Sequence, residues 1–430
     1  MRMAFTSVRT SMEKSADHGS VVVIGGGPAG MAAALFASRA GGSVTLLERN
    51  EKLGKKLYLT GKGRCNVTNT AGFEEFFQQV PRNPRFLQSS IRGFSQVDLL
   101  ALLLEWGTPT VEERGGRVFP ASQKASDVTR ALVRAMEAAG ARVRLNARVC
   151  ALRCDAGTMT GVELEGGETV NARAVIVATG GASYPATGSS GDGYGFAGAL
   201  GHKVHPPQPS LVPLVTRDRW PDTLQGLSLK NVRLVCRLDG KIVFNELGEM
   251  LFTHFGISGP LALELSSRAP ADRWACCEVW LDTKPGLDEK KLDLRLQRDF
   301  ETQSRKQLRR ALPALLPARF AKKIPALCGI PADKLVHQIT RDERRRLCAL
   351  LKAIPLPIAG PRPIAEAVIT RGGVEVKEIN PSTMESKRVA GLFFAGEVID
   401  VDAHTGGFNL QIAFSTGALA GLHAARCLDS

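Results

Sequence analysis

The sequence predicts an α/β protein in which an open, doubly wound unit is interrupted by an inserted domain, β-rich first and helical after. Three observations predict it. An apolar run near residue 21 ends in a glycine cluster, then passes into an alanine-rich segment and a second apolar run. Apolar runs ending in glycine recur near residues 177 and 394, far apart in the chain. Between them, from about 200 to 356, the composition shifts to prolines, then to strand-like runs, then to a basic helical stretch.

Val21-Val22-Val23-Ile24 is continuous, apolar and β-branched, the pattern of a strand buried on both faces. It runs into G-x-G-x-x-G at Gly25, Gly27 and Gly30. The first glycine permits the tight turn, the second lets a pyrophosphate approach the backbone, and the third lets the next helix pack close to the sheet. Met31 to Ala40 is rich in alanine and leucine, so a helix begins where the phosphates would sit and offers them its free N–H groups. Ser43 to Leu47 reads as a second strand with Glu48 at its end, where an acid holds a ribose diol. That carboxylate repels a 2′-phosphate, so NADP is disfavoured here and both FAD and NAD fit.

Thr60 to Asn69 is a glycine-rich, basic loop whose Lys, Arg, Asn and Thr side chains suit phosphates and a polar ring. Phe73 to Gly107 reads as helical, and Ser126 or Asp127 can cap a helix through Gly140. Arg142 to Leu164 reads as strands joined at Asp155-Ala156-Gly157. Ala174 to Gly181 is a buried strand ending in Ala-Thr-Gly-Gly, a second close approach of backbone to ligand. Pro185 to Gly195 is glycine-rich, but no strand leads directly into it, so no second dinucleotide fold is read there.

The inserted domain is expected over 200–356, β-rich over 200–286 and helical over 287–356, with the nucleotide-binding unit made of 20–199 and 357–430. Its strand-like runs are Leu229 to Leu238, Lys241 to Phe244 and Cys277 to Leu281. His254 lies in a turn beside Thr, Ser and glycines and is placed near the site. Residues 288–352 carry 17 Lys/Arg against 8 Asp/Glu, a surplus of +9 within a chain of net charge +14. By helical spacing Lys291, Arg295, Arg298, Arg305 and Arg309 share one face, which suits a polyanion. The chain then returns with Gly391 to Asp400, where Asp400 is expected at a ribityl hydroxyl or the pyrophosphate. Gly406-Gly407-Phe408-Asn409-Leu410-Gln411 leads into an alanine- and glycine-rich helix whose N-terminus faces the electron-rich end of a flavin.

A chain of 430 residues has room for two or three domains. No run of about 18 apolar residues occurs, so no transmembrane helix is expected. Residues 1–19 are polar and read as a disordered leader, with Met12 as an alternative start. The nine cysteines form no paired C-x-x-C set, so no metal site is expected, and an odd count without a secretory signal suits free thiols in the cytoplasm.

GGGPAG with Glu48, GKGRCNVTN at 61–69, VATGG at 177–181, LFTHFGISGP at 251–260, and the pair AGEVID and GGFNLQ stand in an order that resembles the YhiN/BaiN/RdsA-type flavoproteins, aminoacetone-oxidase-like FAD-binding proteins. The resemblance covers about Ser20 to Leu428. It implies a Rossmann-like FAD-binding domain interrupted by an insertion, and FAD held without a covalent bond. It further implies Gly25, Gly27, Gly30, Glu48, Lys56, Arg64, Asn66, Gly180, Gly396, Asp400, Gly406, Asn409 and Gln411 around the cofactor. NAD(P)H is then a transient reductant. Of the activities the resemblance implies, reduction of uridine to dihydrouridine in 23S ribosomal RNA best matches a basic helical insert. A small-molecule enone reductase or amine oxidase is the other reading. For the uridine reaction the expected proton donor is Cys65, in the loop read as touching the flavin ring, or else His254.

Overall fold

The computed structural model describes residues 20–269 and 273–428. The expected leader lies outside them. Five parallel strands form the central sheet, in the order Leu392–Phe394, Ala174–Val177, Ser20–Ile24, Ser43–Leu47, Arg142–Arg144. Every residue of the first three is buried, as continuous β-branched and aromatic runs require. The chain first winds away from Ser20–Ile24 on one side, then returns to Ala174–Val177 on the other. The crevice between these two strands is therefore the topological switch point, where open α/β sheets bind ligands.

Helix Pro28–Arg39 follows the first strand, and the long C-terminal helix Phe408–Arg426 lies against it. Small residues permit backbone contact between them. A Cβ on Gly417 would stand 2.2 Å from the Ala29 carbonyl oxygen, and one on Gly421 would stand 2.1 Å from that of Ala33.

Two expectations in this unit need correction. The helix expected over 73–107 is broken into Phe73–Gln78, Gln88–Gly93 and Gln96–Glu105, with a 3-10 turn at Pro84–Leu87. Pro81 and Pro84 withdraw helix donors, and Ser95 starts a new helix by capping Asp98. The helix expected to be capped by Ser126 or Asp127 instead runs Ala125–Ala138, with Lys124 at its N-cap. Asp127 lies in its first turn and pairs with Arg130. The strands Val149–Asp155 and Thr158–Leu164 join at the expected turn and form a small antiparallel sheet with Thr169–Asn171.

The insert is built on a seven-stranded antiparallel sheet. Its order is Ile354–Pro355, Cys277–Asp282, Ser228–Leu238, Lys241–Phe252, Gly256–Ser258, Leu214–Thr216, Ile358–Pro361. The insert thus runs past the boundary expected at 356. Pro355 and Pro361 lie on its two edge strands, where a missing N–H disrupts no ladder. Lys241–Phe252 is three times the length expected, because its polar residues face outward. Val204–Ser210, which contains the proline cluster, pairs antiparallel with Ile369–Val374. This two-stranded ribbon carries the chain into the insert and back. Each unit has its own core, one around Met31, Phe393 and Phe414, the other around Phe252, Leu281 and Phe320.

The helical half begins with Glu289–Thr302, capped by Asp288, and ends with Arg341–Lys352, capped by Thr340. The single basic face is corrected accordingly. Lys291, Arg295 and Arg298 share the first helix, whereas Arg305 follows its end and Arg309 lies on the separate turn Leu308–Ala311. The helix stops because the chain turns to bond another segment: Leu308 N–H donates to the Lys334 carbonyl. Arg295 is turned onto Asp299, at 2.8 Å, while Lys291, Arg298, Arg305 and Arg309 are exposed.

Candidate functional site

A cavity of about 810 Å³ opens at the carboxyl ends of Ser20–Ile24 and Ala174–Val177 and extends to the insert, which adds Leu251, Ser258, Gly259 and Leu263 to its wall. That volume is at the upper end of the roughly 300–1,000 Å³ of small-molecule sites.

The glycine turn forms one end. Gly25 has φ +105°, and a Cβ on it would meet the Ala178 carbonyl oxygen at 2.6 Å, so the two strand ends touch only because it is glycine. Gly27 faces open space, with nothing within 4 Å of a Cβ built there. Gly30 does not line the cavity; its Cβ would lie 1.8 Å from the Gly25 carbonyl oxygen, so it brings the helix onto the turn. Glu48 lines the cavity, and its carboxylate accepts from Gly26 N–H at 2.6 Å and Asn50 N–H at 2.8 Å. These bonds fix the acid beside the turn.

Asn66, Gly180, Gly406 and Asn409 also line the cavity. Asn409 clamps its own loop, accepting from Ala403 N–H at 2.8 Å and donating to the Ala403 carbonyl at 2.7 Å. Lys56 reaches Glu397 at 2.6 Å and Ser183 Oγ at 2.7 Å, so a lysine and a carboxylate face the cavity as one ion pair. Three cavity-lining residues, Asn66, Thr179 and His404, each hold a buried polar atom (Oδ1, Oγ1 and Nδ1) with no hydrogen-bond partner among the described residues. Orphaned polar atoms beside an open glycine turn and a helix N-terminus fit a polar, phosphate-bearing ligand such as FAD.

Other expected residues lie elsewhere. Gln411 is fully buried, accepting from Thr68 Oγ1 at 2.6 Å and donating to Ser415 Oγ at 3.0 Å, so it holds the C-terminal helix rather than the ligand. Gly396 packs on Ala29, where a Cβ would stand 2.8 Å away. Asp400 is not among the cavity-lining residues; its carboxylate lies 3.4 Å from Asn83 Nδ2, and burial pushes it above the ordinary range against the charges of His205 and Arg82. Arg64 is held by Glu113 and Gln123 and stacks over Phe119, 4.0 Å from the ring centroid.

Neither expected proton donor reaches the cavity. Cys65 is fully buried, and burial pushes its thiol up to about 12. His254 is exposed on the hairpin turn, edge-on to Phe255. Cys65→Ala should therefore keep its flavin and its turnover. Iodoacetamide should label the exposed Cys150 and Cys276 well before Cys65, as peptide masses would show.

His404 is a cavity residue outside the expected set. It lines the cavity just before the glycine pair, with Nδ1 2.8 Å from Glu264 Oε2, at ion-pair distance but off the line of a hydrogen bond. Glu264 stands on helix Pro260–Arg268 of the insert. Thr405 gives its backbone N–H and its hydroxyl to Glu264 Oε1, both at 2.6 Å. Burial alone would raise the Glu264 carboxyl, but His404 and Thr405 outweigh it and hold it below the ordinary carboxylate range. The signal was legible only in part: His404 stands within DAHTGG, but its partner lies 140 residues earlier.

A family model described as HI0933-like protein Rossmann domain matches residues 19–423. The chain belongs to the HI0933-like family. It is thus an FAD-dependent oxidoreductase with a Rossmann-like FAD-binding domain, the group that the GRCN and THxGxSGP motifs resemble. Ribosomal RNA dihydrouridine synthase of Escherichia coli K12 is 32% identical over 397 residues, covering 92% of this chain and 95% of that protein. The 3-dehydro-bile acid delta(4,6)-reductase of Clostridium scindens is 29% identical, covering 94% and 98%. Among solved structures, 3-ketosteroid-delta4-(5alpha)-dehydrogenase of Rhodococcus jostii RHA1 shares the fold, with a TM-score of 0.50, 17% identity, and coverage of 97% of this chain and 99% of that one. Among the described residues of this HI0933-like protein, no helix is long and apolar enough to cross a membrane, and no cluster of His, Cys, Asp or Glu could hold a metal ion.

Proposed function

We propose that this protein reduces uridine to dihydrouridine in 23S ribosomal RNA in the cytoplasm, using non-covalent FAD and NAD(P)H as a transient reductant. The observation that carries this reading is the likeness, over nearly the whole of both chains, to a ribosomal RNA dihydrouridine synthase. The surplus of 17 basic over 8 acidic residues in 288–352 supports it, since phosphate contacts dominate nucleic-acid affinity.

Gly25 and Gly27 would admit the pyrophosphate, Glu48 the ribose, and Asn66, Thr179 and Gly406 the remaining polar edges. When bound, FAD would take two electrons from NAD(P)H and supply them as hydride. The protein's own residues then hold a flipped base against the cavity, exclude water and provide a proton. Lys56 and Glu397 neutralise each other, so this pair adds polarity to the wall without adding net charge.

Mass spectrometry of 23S rRNA from cells with and without the gene tests the reading. Loss of dihydrouridine at one position, restored by the wild-type gene, is the expected result; unchanged rRNA overturns it. Reversing Lys291, Arg298, Arg305 and Arg309 to Glu should weaken rRNA binding by about 100-fold at moderate salt and flatten its salt dependence, with FAD content unchanged. Filter binding across a salt series would show this.

A second reading, reduction of a small-molecule enone, is favoured by the 29% identical bile acid reductase and by the aliphatic wall of Leu59, Leu263 and Val368. Uracil and a conjugated ketone are alike in chemistry: each presents a C=C bond conjugated to a carbonyl. Charge reversal on the insert would then leave turnover unchanged.

A further inference from the structure

We infer that His404 is the catalytic proton donor to the substrate carbon, and that Glu264, reaching from the insert, is its positioning residue. The inference rests on the reading of this cavity as a site for reducing a conjugated C=C bond.

The reaction needs an acid at the cavity wall. Cys65 and His254 lie outside it, and Lys56 is committed to Glu397 and Ser183. His404 lines the wall and is 7% exposed. Its Nδ1 lies 2.8 Å from Glu264 Oε2, which leaves Nε2 as the nitrogen free to face a ligand. The remaining oxygen of Glu264 is taken by both donors of Thr405, so the carboxylate cannot rotate away. The contact is at ion-pair distance without in-line hydrogen-bond geometry, so Glu264 sets where the imidazole stands beside the cavity, and a general acid must first be held within reach of the atom it protonates.

FAD, when bound and reduced, would supply a hydride; at C6 of the pyrimidine a C–H bond then forms, the C5=C6 π bond breaks, and its electron pair moves to C5. There it takes the proton from His404 Nε2, and the N–H bond breaks. The pyrimidine thus gains two electrons, as the hydride pair, and one proton from His404. Neutral His404 regains its proton from solvent.

Glu264 belongs to the insert and His404 to the FAD-binding unit, so the acid is assembled only where the two meet. The test uses holoprotein with NAD(P)H and a 23S rRNA fragment containing the modified position. His404→Gln should slow product formation by about 100-fold or more. Its FAD content and its bleaching by NAD(P)H in the absence of RNA should match wild type. Added imidazole should restore product to His404→Ala but not to His404→Gln, whose side chain fills the space. Independently of turnover, nitrogen-15 spectra of the seven histidines should show His404 with Nδ1 protonated, and Glu264→Leu, which leaves no acceptor, should abolish that signature. Wild-type turnover in His404→Gln overturns the assignment of the acid, and an unprotonated Nδ1 in the wild type overturns the role of Glu264. Wild-type protein that leaves the RNA unreduced overturns the substrate instead. The histidine spectra would still decide the pairing in that case, and a 3-keto enone replaces RNA in the same comparison of variants.

Discussion

Gly27→Val is expected to strip the protein of FAD while leaving it folded. Gly27 is extended, with φ −80° and ψ −176°, so any residue can adopt its backbone conformation. No atom lies within 4 Å of a Cβ there, so the cofactor-free protein has room for a valine. The space that the side chain would fill is the approach to the helix N-terminus, where the phosphates need the backbone N–H groups. Losing two or three charge-assisted hydrogen bonds, each worth about 1.5–3 kcal/mol, weakens FAD by 100-fold or more. The purified variant should be colourless. Its thermal midpoint should match that of FAD-stripped wild type within a few degrees, about the shift that 1 kcal/mol produces in a large domain. A yellow variant with stoichiometric FAD would show that the phosphates bind elsewhere. Gly30→Val provides the contrast, because its Cβ meets the Gly25 carbonyl oxygen at 1.8 Å and the fold itself should fail.

Gly417→Leu is expected to cost more than about 4 kcal/mol of stability, a value seen only when packing is forced apart or a buried group is stranded. The Ala29 carbonyl oxygen would lie 2.2 Å from the new Cβ, and it belongs to backbone that cannot swing aside. The C-terminal helix would have to leave the helix that follows the glycine turn, so cofactor binding should fall with stability. Urea unfolding of the FAD-free variant measures the loss. An unchanged midpoint would mean that the two helices do not touch as described.

The nucleotide-binding unit was legible in the sequence because its signals are local. A β-branched run buried on both faces, a glycine turn and a small-residue helix occupy Val21 to Arg39 without interruption. What was not legible depended on contacts between distant segments. Gln411 sits in the GGFNLQ motif, but its bonds run to Thr68, Ser415 and Phe94. Cys65 reads as part of a ligand loop, but with φ +61° its backbone turns it under the loop and its thiol is buried. Arg305 and Arg309 keep helical spacing on paper, while the chain bends at Thr302 to meet Lys334. His404 shows its role only beside Glu264.

The ribbon of Val204–Ser210 and Ile369–Val374 has a consequence for how such a protein can diversify. The entry and exit of the insert are hydrogen-bonded neighbours, with Val204 opposite Val374 and Ser210 opposite Ile369. A unit whose two ends meet in this way can be enlarged, trimmed or replaced without altering the span that the host must bridge. The parallel sheet can thus keep one redox apparatus while successive inserts present it with different clients, provided each new insert carries a carboxylate to the position of Glu264.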